Sequence, residues 1–270
     1  MGQRIAAAEG GFTKRHSKDG SGVYCMAIIF GINAVAEALK ANPGRIERLC
    51  IERRQKNPRV QDIVDAGRSA GVQLSFEDRS WLDRKAGGER HQGVLCYLAE
   101  AETLDTGAIL AAARTPGLLV VLDGIEDPHN LGAILRSAEV SGVDGVFIPE
   151  RRSAGLSATV VKASAGASSY LRIARVPNTA RLLDELKEHG YWVVGLDASA
   201  RQSLREADFR MPTVVVLGSE GSGLHRLVRE KCDFLVSIPV RGKVGSHNVS
   251  VAAGIALYEA VRQRGEKTSA

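Results

Sequence analysis

Hydrophobic residues between positions 27 and 98 form short apolar runs separated by segments with apolar residues at helical spacing. The clearest helical stripe is Val60, Ile63 and Val64. Asn57 and Pro58 precede it, and this pair favours a helix start. Four strands are predicted here: Ile28–Phe30, Ile46–Ile51, Val72–Phe76 and Gly93–Leu98. The intervening helices are expected to be capped by Asn33, Asn57 and Asp78.

A second alternating series begins at Gly117, and its strands are continuous Val and Leu runs. Such runs separated by helices are typical of a parallel sheet covered on both faces. Ligands of these sheets bind beyond the carboxyl ends of the strands, so polar residues there are candidate functional residues. The predicted strands are Leu118–Leu122, Gly145–Ile148, Tyr170–Ala174, Trp192–Leu196, Thr213–Leu217 and Phe234–Ile238. The predicted helices are Leu131–Val140, Ala158–Ser164, Thr179–Glu188, Leu224–Glu230 and Val249–Arg262.

The two series predict an α/β protein with two domains. Residues 27–98 form a small α/β domain and residues 117–270 a larger one with the parallel sheet. Residues 99–116 are rich in Ala with acidic residues and a proline, which indicates a linker, partly helical at most. Residues 1–26 show no apolar periodicity before Ala27, and we interpret them as a flexible basic tail.

The net charge of the chain indicates a possible class of partner. The 270 residues carry a formal net charge of +5, and such a balance favours a polyanion through phosphate attraction. Six Arg and Lys residues stand against two Glu residues between positions 45 and 59. This segment is a plausible phosphate contact, although a solvated basic face fits the same pattern.

Several classes are excluded or disfavoured by composition. No stretch approaches the ~20 apolar residues of a membrane helix, and the start lacks a signal-peptide core, so we expect a cytoplasmic protein without a membrane partner. The four cysteines form no CxxC pair, which favours free thiols over disulfides. Neither they nor the six histidines show zinc-ligand spacing, so no metal is expected.

Three polar clusters follow predicted strands. The first runs from Asp123 to Arg136 and contains Asn130 at a helix entry. Arg136 could hold a phosphate, but on this segment alone an N-cap and an ordinary surface arginine are the favoured explanation. The second, around Gly218 and Glu220, is glycine-rich and lets a ligand approach the backbone. It lacks the GK[ST] ending of a Walker loop and is not GxGxxG.

The third cluster, before the last helix, contains Ser246, Asn248 and Ser250. Uncharged hydrogen-bonding groups there can serve a ligand or only cap the helix. No nucleophile-elbow motif accompanies them, so a hydrolase is poorly supported.

Together and in this order, the clusters resemble the SpoU (TrmH) branch of the SPOUT RNA methyltransferases. The motifs are Asn130-Leu-Gly-Ala-Ile-Leu-Arg136, Leu217-Gly218-Ser-Glu220-Gly, and Ile238-Pro239 followed by Ser246-His247-Asn248-Val249-Ser250. The first domain is similar to the L30e-like RNA-binding module of this family. Within the family, the chain resembles enzymes that methylate a guanosine ribose of 23S ribosomal RNA.

The resemblance implies a trefoil knot in the C-terminal domain, a homodimer, and S-adenosyl-L-methionine bound in the knot near the dimer interface. It implies RNA as substrate and no DNA. The implied cofactor-binding positions are Leu217, Gly218, Ile238, His247 and Val249. The implied catalytic positions are Asn130, Arg136, Glu220, Ser246 and Asn248. The family usually has Leu where His247 stands, and we expect a neutral imidazole beside the cationic donor.

The family mechanism implies that Arg136 is the general base. An arginine stays protonated in proteins, so binding a phosphate and stabilising alkoxide charge is an equally physical role. Asn130 would orient Arg136, Ser246 and Asn248 would hydrogen-bond the nucleotide or the arginine, and Glu220 would organise the network. The alternatives are methylation of transfer RNA, an antibiotic-resistance methylase, and a non-catalytic RNA-binding protein on the same scaffold.

Overall fold

The computed structural model describes residues 12–16, 23–99 and 103–265. Contacts divide the chain into two units. The first comprises Met1–Ala101 and Leu156–Ser169, and the second comprises Glu102–Gly155 and Tyr170–Ala270. None of the described helices is long and apolar enough to cross a bilayer.

The first unit is a mixed five-stranded sheet in the order β1-β2-β5-β3-β4, in which only β3 and β4 are parallel. Its strands are β1 Phe12–His16, β2 Val23–Phe30, β3 Ile46–Glu52, β4 Gln73–Glu77 and β5 Val94–Ala99. Its helices are α1 Ile32–Ala41, α2 Pro58–Ser69, α3 Arg79–Lys85 and α6 Ala158–Ala163. Helices are numbered in chain order, and α4 and α5 belong to the second unit.

Two hydrophobic clusters hold this sheet. Apolar residues of α1 and α2 pack with Ile29, Leu49 and Val94 of the sheet, and Val161 of α6 joins the same cluster. A smaller cluster gathers around Leu82 of α3. The segment 156–169 therefore completes the core of the first unit although it lies far along the chain, which the sequence pattern did not predict.

The helix starts differ from prediction at one point. Helix α1 begins after Gly31, whose φ of 95° suits glycine. Asn33 is therefore not its cap, and Asn33 Oδ1 instead accepts a hydrogen bond from Arg59 Nη2 at 2.6 Å. Asn57 caps α2 as predicted, accepting from the Arg59 backbone N–H at 3.0 Å. Asp78 stands at the cap of α3 without a side-chain bond.

Strand β1 lies in the segment predicted to be a flexible tail, and so does the start of β2. Most of the rest of that segment lies outside the described residues. Strand β1 pairs antiparallel with β2. Its sequence, FTKRH, is too short and too polar for hydrophobic periodicity to predict a strand.

The second unit contains a parallel sheet in the order β10-β12-β9-β11-β6-β7-β8. Its strands are β6 Leu118–Asp123, β7 Gly145–Pro149, β8 Ile173–Val176, β9 Trp192–Leu196, β10 Gln202–Ser203, β11 Thr213–Gly218 and β12 Phe234–Ser237. Its helices are α4 Thr106–Ala112, α5 Pro128–Val140, α7 Thr179–Glu188, α8 Arg226–Lys231 and α9 Val249–Arg264. Short 3-10 turns occur at Pro43–Arg45, Ala167–Ser169 and Leu204–Glu206.

The predicted parallel sheet is confirmed, with two differences. The third strand starts at Ile173 rather than Tyr170, and the two-residue β10 was not predicted. The segment predicted as a linker contains α4, in which Ile109 is fully buried. That single buried residue ties the helix to the sheet.

The described cysteines Cys50, Cys96 and Cys232 are free. Burial raises the pKa of the Cys50 thiol to about 11 and that of Cys232 to about 12. Neither thiol is therefore ionised near neutral pH, and they act as small packing residues.

The hydrophobic core around the parallel sheet should be sensitive to loss of side-chain volume. Phe147 of β7 is fully buried, so Phe147→Ala should lower the free energy of unfolding by about 3–5 kcal/mol in urea titrations. Leu227 is 55% exposed, and Leu227→Ala should stay within about 0.5 kcal/mol of the unaltered protein. Equal effects of both changes would contradict this packing.

Candidate active site

The site forms where β6 and β11 end side by side. Leu122 pairs with Leu217, and Asp123 pairs with Gly218, so both strands leave the sheet at one level. Both strands are buried along their whole length. The loops that follow them, and the loops that follow β9 and β12 beside them, therefore meet at one edge, as expected for parallel strands.

A cavity of about 640 Å³ opens at this edge, within the size range of small-molecule sites, about 300–1,000 Å³. Its walls come from the ends of β9, β11 and β12 and from the first turn of α9. The apolar part of the lining includes Leu196, Leu217, Leu224, Val236, Ile238 and Val249.

The glycine-rich segment after β11 closes on itself as a tight turn. Ser219 and Gly223 exchange two backbone hydrogen bonds of 3.0 Å. A Cβ on Gly218 would stand 2.2 Å from the backbone carbon of Gly223. Glycine is thus required at position 218 because backbone packs against it, a reason different from the ligand approach that the sequence suggested.

Three of the predicted catalytic side chains meet in one network. Asn130 Nδ2 donates to Glu220 Oε2 at 3.0 Å. Asn248 Nδ2 donates to Asn130 Oδ1 at 3.0 Å and to Glu220 Oε1 at 3.5 Å. These residues come from α5, the glycine-rich turn and the start of α9. The network therefore fixes the three segments that surround the cavity mouth.

Capping explains one of these asparagines but not the other. Asp127, rather than Asn130, caps α5 by accepting from the His129 N–H, which leaves the buried Asn130 amide for the network. Asn248 does cap α9, since its Oδ1 accepts from the Ser250 N–H at 2.9 Å. Its amide nitrogen serves the network at the same time.

The predicted cofactor-binding residues all line the 640 Å³ cavity: Leu217, Gly218, Ile238, His247 and Val249. Glu220, Ser246 and Asn248 line it as well. Sequence order alone separates these residues into two motifs, and the parallel sheet brings both motifs to one edge.

Arg136 is the predicted catalytic residue that the chain brings neither to this network nor to the two described cavities. It lies six residues after Asn130, so it stands about 9 Å farther along α5 and about 120° around the helix. It is exposed, lines neither described cavity at this edge, and its side chain makes no hydrogen bond within the described part of the chain. Within one chain, Asn130 contacts Glu220 and Asn248 instead.

Asp197 is a cavity residue that the sequence did not point to. It follows β9 and lines the same cavity. Its burial opposes ionisation, but hydrogen bonds from Ser199 and the Arg229 guanidinium 2.7 Å away outweigh burial and lower the pKa of the carboxyl group. The cavity wall therefore carries an ionised carboxylate paired with Arg229, and its oxygens can accept hydrogen bonds from hydroxyl groups.

A second cavity, of about 410 Å³, lies on the other side of the glycine-rich turn. The two cavities share Ser219, Glu220, Ser222 and Val249. Asn130 and His225 also line the second cavity. His225 was not predicted as a site residue, because its contacts with residues near β6 depend on the sheet order.

Comparison with known proteins matches both parts of the chain. Residues 28–104 match the profile described as RNA 2'-O ribose methyltransferase substrate binding. Residues 117–258, more than half of the chain, match the SpoU rRNA methylase family. The chain belongs to the SpoU rRNA methylase family.

Similar members of the SpoU family share this length and architecture. The 23S rRNA (guanosine-2'-O-)-methyltransferase RlmB of Coxiella burnetii is 43% identical, over 87% of this chain and 95% of that protein. RlmB of Ralstonia nicotianae is 44% identical, over 88% and 96%. The crystal structure of the SpoU methyltransferase AviRb from Streptomyces viridochromogenes in complex with AdoMet has a TM-score of 0.74 at 26% identity, covering 88% of this chain and 90% of that one.

The cavity fits S-adenosylmethionine by its own chemistry. Apolar side chains suit a purine, the backbone of the turn at Gly218 offers hydrogen bonds, and the ionised Asp197 suits hydroxyl groups. Among the described residues no cluster of His, Cys, Asp and Glu is arranged to hold a metal ion.

The turn should not tolerate a side chain at position 218. Gly218→Ala forces the Cβ into the backbone of Gly223, so it should lower the melting temperature by several degrees and weaken S-adenosylmethionine binding at least about tenfold. Gly242→Ala is the matched control, because nothing lies within 4 Å of a Cβ there. Calorimetric titration and thermal unfolding measure both effects. Unchanged binding in Gly218→Ala would contradict the assigned turn geometry.

Proposed function

We propose that this protein transfers a methyl group from S-adenosylmethionine to the ribose 2′-hydroxyl of a guanosine in 23S ribosomal RNA. The observation that carries the proposal is the Asn130–Glu220–Asn248 network at the mouth of a cavity lined by every predicted donor-binding residue. Membership of the SpoU family and relatives named for this reaction, matched over nearly their whole length, support the substrate.

S-adenosylmethionine supplies, when bound, an electrophilic methyl group on a sulfonium. Leu217, Ile238 and Val249 would hold its adenosine, and the Asp197 carboxylate would accept hydrogen bonds from its ribose hydroxyl groups. The rigid network would accelerate methyl transfer by orienting the ribose. A hydroxyl already held at the right distance and angle from the methyl group avoids most of the entropic cost of bringing the two together. Glu220 organises this network through both carboxylate oxygens.

The first unit would bind the RNA. Arg53, Arg54, Lys56 and Arg59 are exposed in and after the loop between β3 and α2. Four cations on one short segment give phosphate contacts whose strength falls with salt, and the profile match over residues 28–104 names substrate binding. A protein that acts on ribosomal RNA works in the cytoplasm, which is the location we propose.

We also propose a homodimer formed through the face of α9 that bears Val251, Ile255 and Tyr258. These residues stand at helical spacing, and Val251 and Tyr258 are 50% and 69% exposed. An apolar stripe of this kind is costly in water. Helix α5, which carries Arg136, packs beside α9, and we propose that Arg136 acts in the site of the second copy. There its guanidinium would bind phosphate and stabilise alkoxide charge.

The trefoil knot remains part of the proposal. Strand β11 lies between β9 and β6, and β12 lies on the far side of β9. A chain that returns to the middle of its own sheet in this way is compatible with a knot, in which one segment passes through a loop formed by another. Membership of the SpoU family supports the proposed knot.

The function is tested by methylation of ribosomal RNA. The purified protein should methylate a 23S RNA transcript with S-adenosylmethionine, and a transcript with a 2′-deoxy target nucleotide should stay unmodified. Asn130→Ala should lower kcat by about 100-fold or more while the protein stays folded. Exposed His189 lies at the end of α7, away from both cavities, and His189→Gln is the control with unchanged activity.

Methylation of transfer RNA in place of 23S RNA would contradict the substrate. Binding of RNA without binding of S-adenosylmethionine would contradict the enzyme and favour a non-catalytic RNA-binding protein.

Mixed dimers test whether Arg136 acts from the partner. Arg136→Ala and Glu220→Gln should each be inactive as pure dimers. After co-refolding in equal amounts, half of the dimers are mixed and one site in each mixed dimer is intact, so about a quarter of the activity should return. If Arg136 serves its own chain, no site is intact and no activity returns, which would refute the arrangement.

A further inference from the structure

The loop that follows β7 reaches the 410 Å³ cavity through Arg152. This cavity lies across the carboxyl ends of three neighbouring strands, in the sheet order β11-β6-β7. Glu220 comes from the turn after β11, Asn130 from the segment after β6, and Arg152 from the loop after β7. Strands β7 and β11 stand two strand spacings apart, about 10 Å. Arg152 and the glycine-rich turn therefore flank the cavity on opposite sides of β6.

Hydrogen bonds hold this loop on both sides of Arg152. The Glu150 N–H donates to Val176 O of β8 at 2.9 Å. The Ala154 N–H donates to Ile125 O, which belongs to the segment after β6, at 2.8 Å. The backbone around Arg152 is thus tied to two neighbouring parts of the sheet, and its side chain leaves the loop from a fixed point beside the cavity.

Arg152 has a backbone conformation that arginine rarely adopts. Its φ is 55°, in the left-handed region that favours glycine. Such conformations cost stability and persist where the surrounding structure imposes them, often at binding sites. Glycine would suit the backbone at position 152 better, so the fold of the loop does not explain why an arginine stands there.

The guanidinium of Arg152 is available to a ligand. It is exposed, and it makes no hydrogen bond or ion pair within the described part of the chain. The other basic side chain in the cavity lining, His225, is already held by Asp123. One carboxylate oxygen of Asp123 accepts the His225 backbone N–H at 2.7 Å, and the other lies 3.0 Å from His225 Nδ1. The N–H donors of Arg152 therefore remain free for an anion.

The charges around the cavity would orient a nucleotide. The lining also includes the carboxylates of Glu126, Asp127 and Glu220. Carboxylates repel a phosphate but accept hydrogen bonds from hydroxyl and amino groups. A phosphate is therefore favoured beside Arg152, whose planar fork of donors matches two phosphate oxygens. The sugar would then lie toward Asn130 and Glu220, next to the turn that this cavity shares with the 640 Å³ cavity.

We propose that the 410 Å³ cavity is the subsite for the target nucleotide and that Arg152 is a substrate-binding residue that holds one of its flanking phosphates. The inference rests on the proposed methyltransferase function. The ligand is a single unpaired ribonucleotide of the RNA, because a cavity of this size admits one nucleotide lifted out of a stack but no duplex. Arg152 orients the ribose and takes no part in proton transfer, which leaves the role of Arg136 unchanged.

The first experiment compares two neighbouring arginines. Arg152→Gly removes the guanidinium and should change the melting temperature little, because relief of backbone strain offsets the greater freedom of glycine in the unfolded chain. It should lower kcat/KM for 23S RNA about tenfold or more, with S-adenosylmethionine binding unchanged. Arg151 is exposed and lines neither cavity, so Arg151→Ala, which removes the same charge, should lower kcat/KM less than about threefold. Equal losses in the two variants would overturn the proposal.

The second experiment identifies the contact. A short RNA containing the guanosine that the unaltered protein methylates is made with a neutral methylphosphonate in place of the 5′ or the 3′ phosphate of that guanosine. One of the two replacements should weaken binding to the unaltered protein about tenfold and leave binding to Arg152→Gly unchanged, because the partner of that phosphate is already absent. A merely structural role of Arg152 predicts additive losses with both replacements, and that result would refute the contact.

The outcomes separate the two claims. An unaltered protein that methylates no RNA would overturn the proposed function. NMR titration with guanosine 3′,5′-bisphosphate, which carries both flanking phosphates, would still judge the cavity: the Nε–H signal of Arg152 should shift and that of Arg151 should not. An active unaltered enzyme whose Arg152→Gly variant keeps the kcat/KM of Arg151→Ala would overturn only the role of Arg152.

Discussion

The register between β6 and β11 is the constraint on which the site depends. Because Leu122 pairs with Leu217 and Asp123 with Gly218, the loops after these strands start at the same height. Asn130 then reaches Glu220 within 3.0 Å, although the two residues are 90 positions apart. A slip of one residue would turn every side chain of β11 to the opposite face of the sheet. It would separate the carboxylate from its amide partner, so sheet pairing and chemistry are specified by the same contacts.

Close backbone packing makes the turn that follows β11 rigid. Gly218 lies against Gly223 more closely than any Cβ would permit, and the turn they close forms a wall shared by two cavities. A rigid wall matters because a methyl transfer depends on the alignment of three atoms, and small displacements cost rate. The turn has few rotatable side chains to order when a ligand binds, which lowers the entropic cost of binding.

The hydrophobic pattern was sufficient to predict those strands whose residues are all buried. The strands Leu118–Asp123 and Thr213–Gly218 are buried at every position, so their Val and Leu runs were unambiguous. Strand β10, with Gln202 and Ser203, has no apolar signal and exists only through pairing with β12. Motif resemblance placed ten site residues, and geometry gathered all but Arg136. The Asp123–His225 pair could not be inferred, because neither residue lies in a pattern that indicates contact and only the sheet order joins them.

One wall of the 640 Å³ cavity supports the proposed second copy. Val240 and Val244, between β12 and α9, are 40% and 74% exposed although both line the cavity. Apolar side chains gain free energy when covered, about 25 cal/mol per Å² of buried surface. A cavity with such a rim admits water in an isolated chain, and water weakens the electrostatic interactions of Asp197 and Glu220, which line it. Covering the rim would therefore serve both assembly and chemistry, which is why we expect dimerisation and activity to be coupled rather than independent properties of this fold.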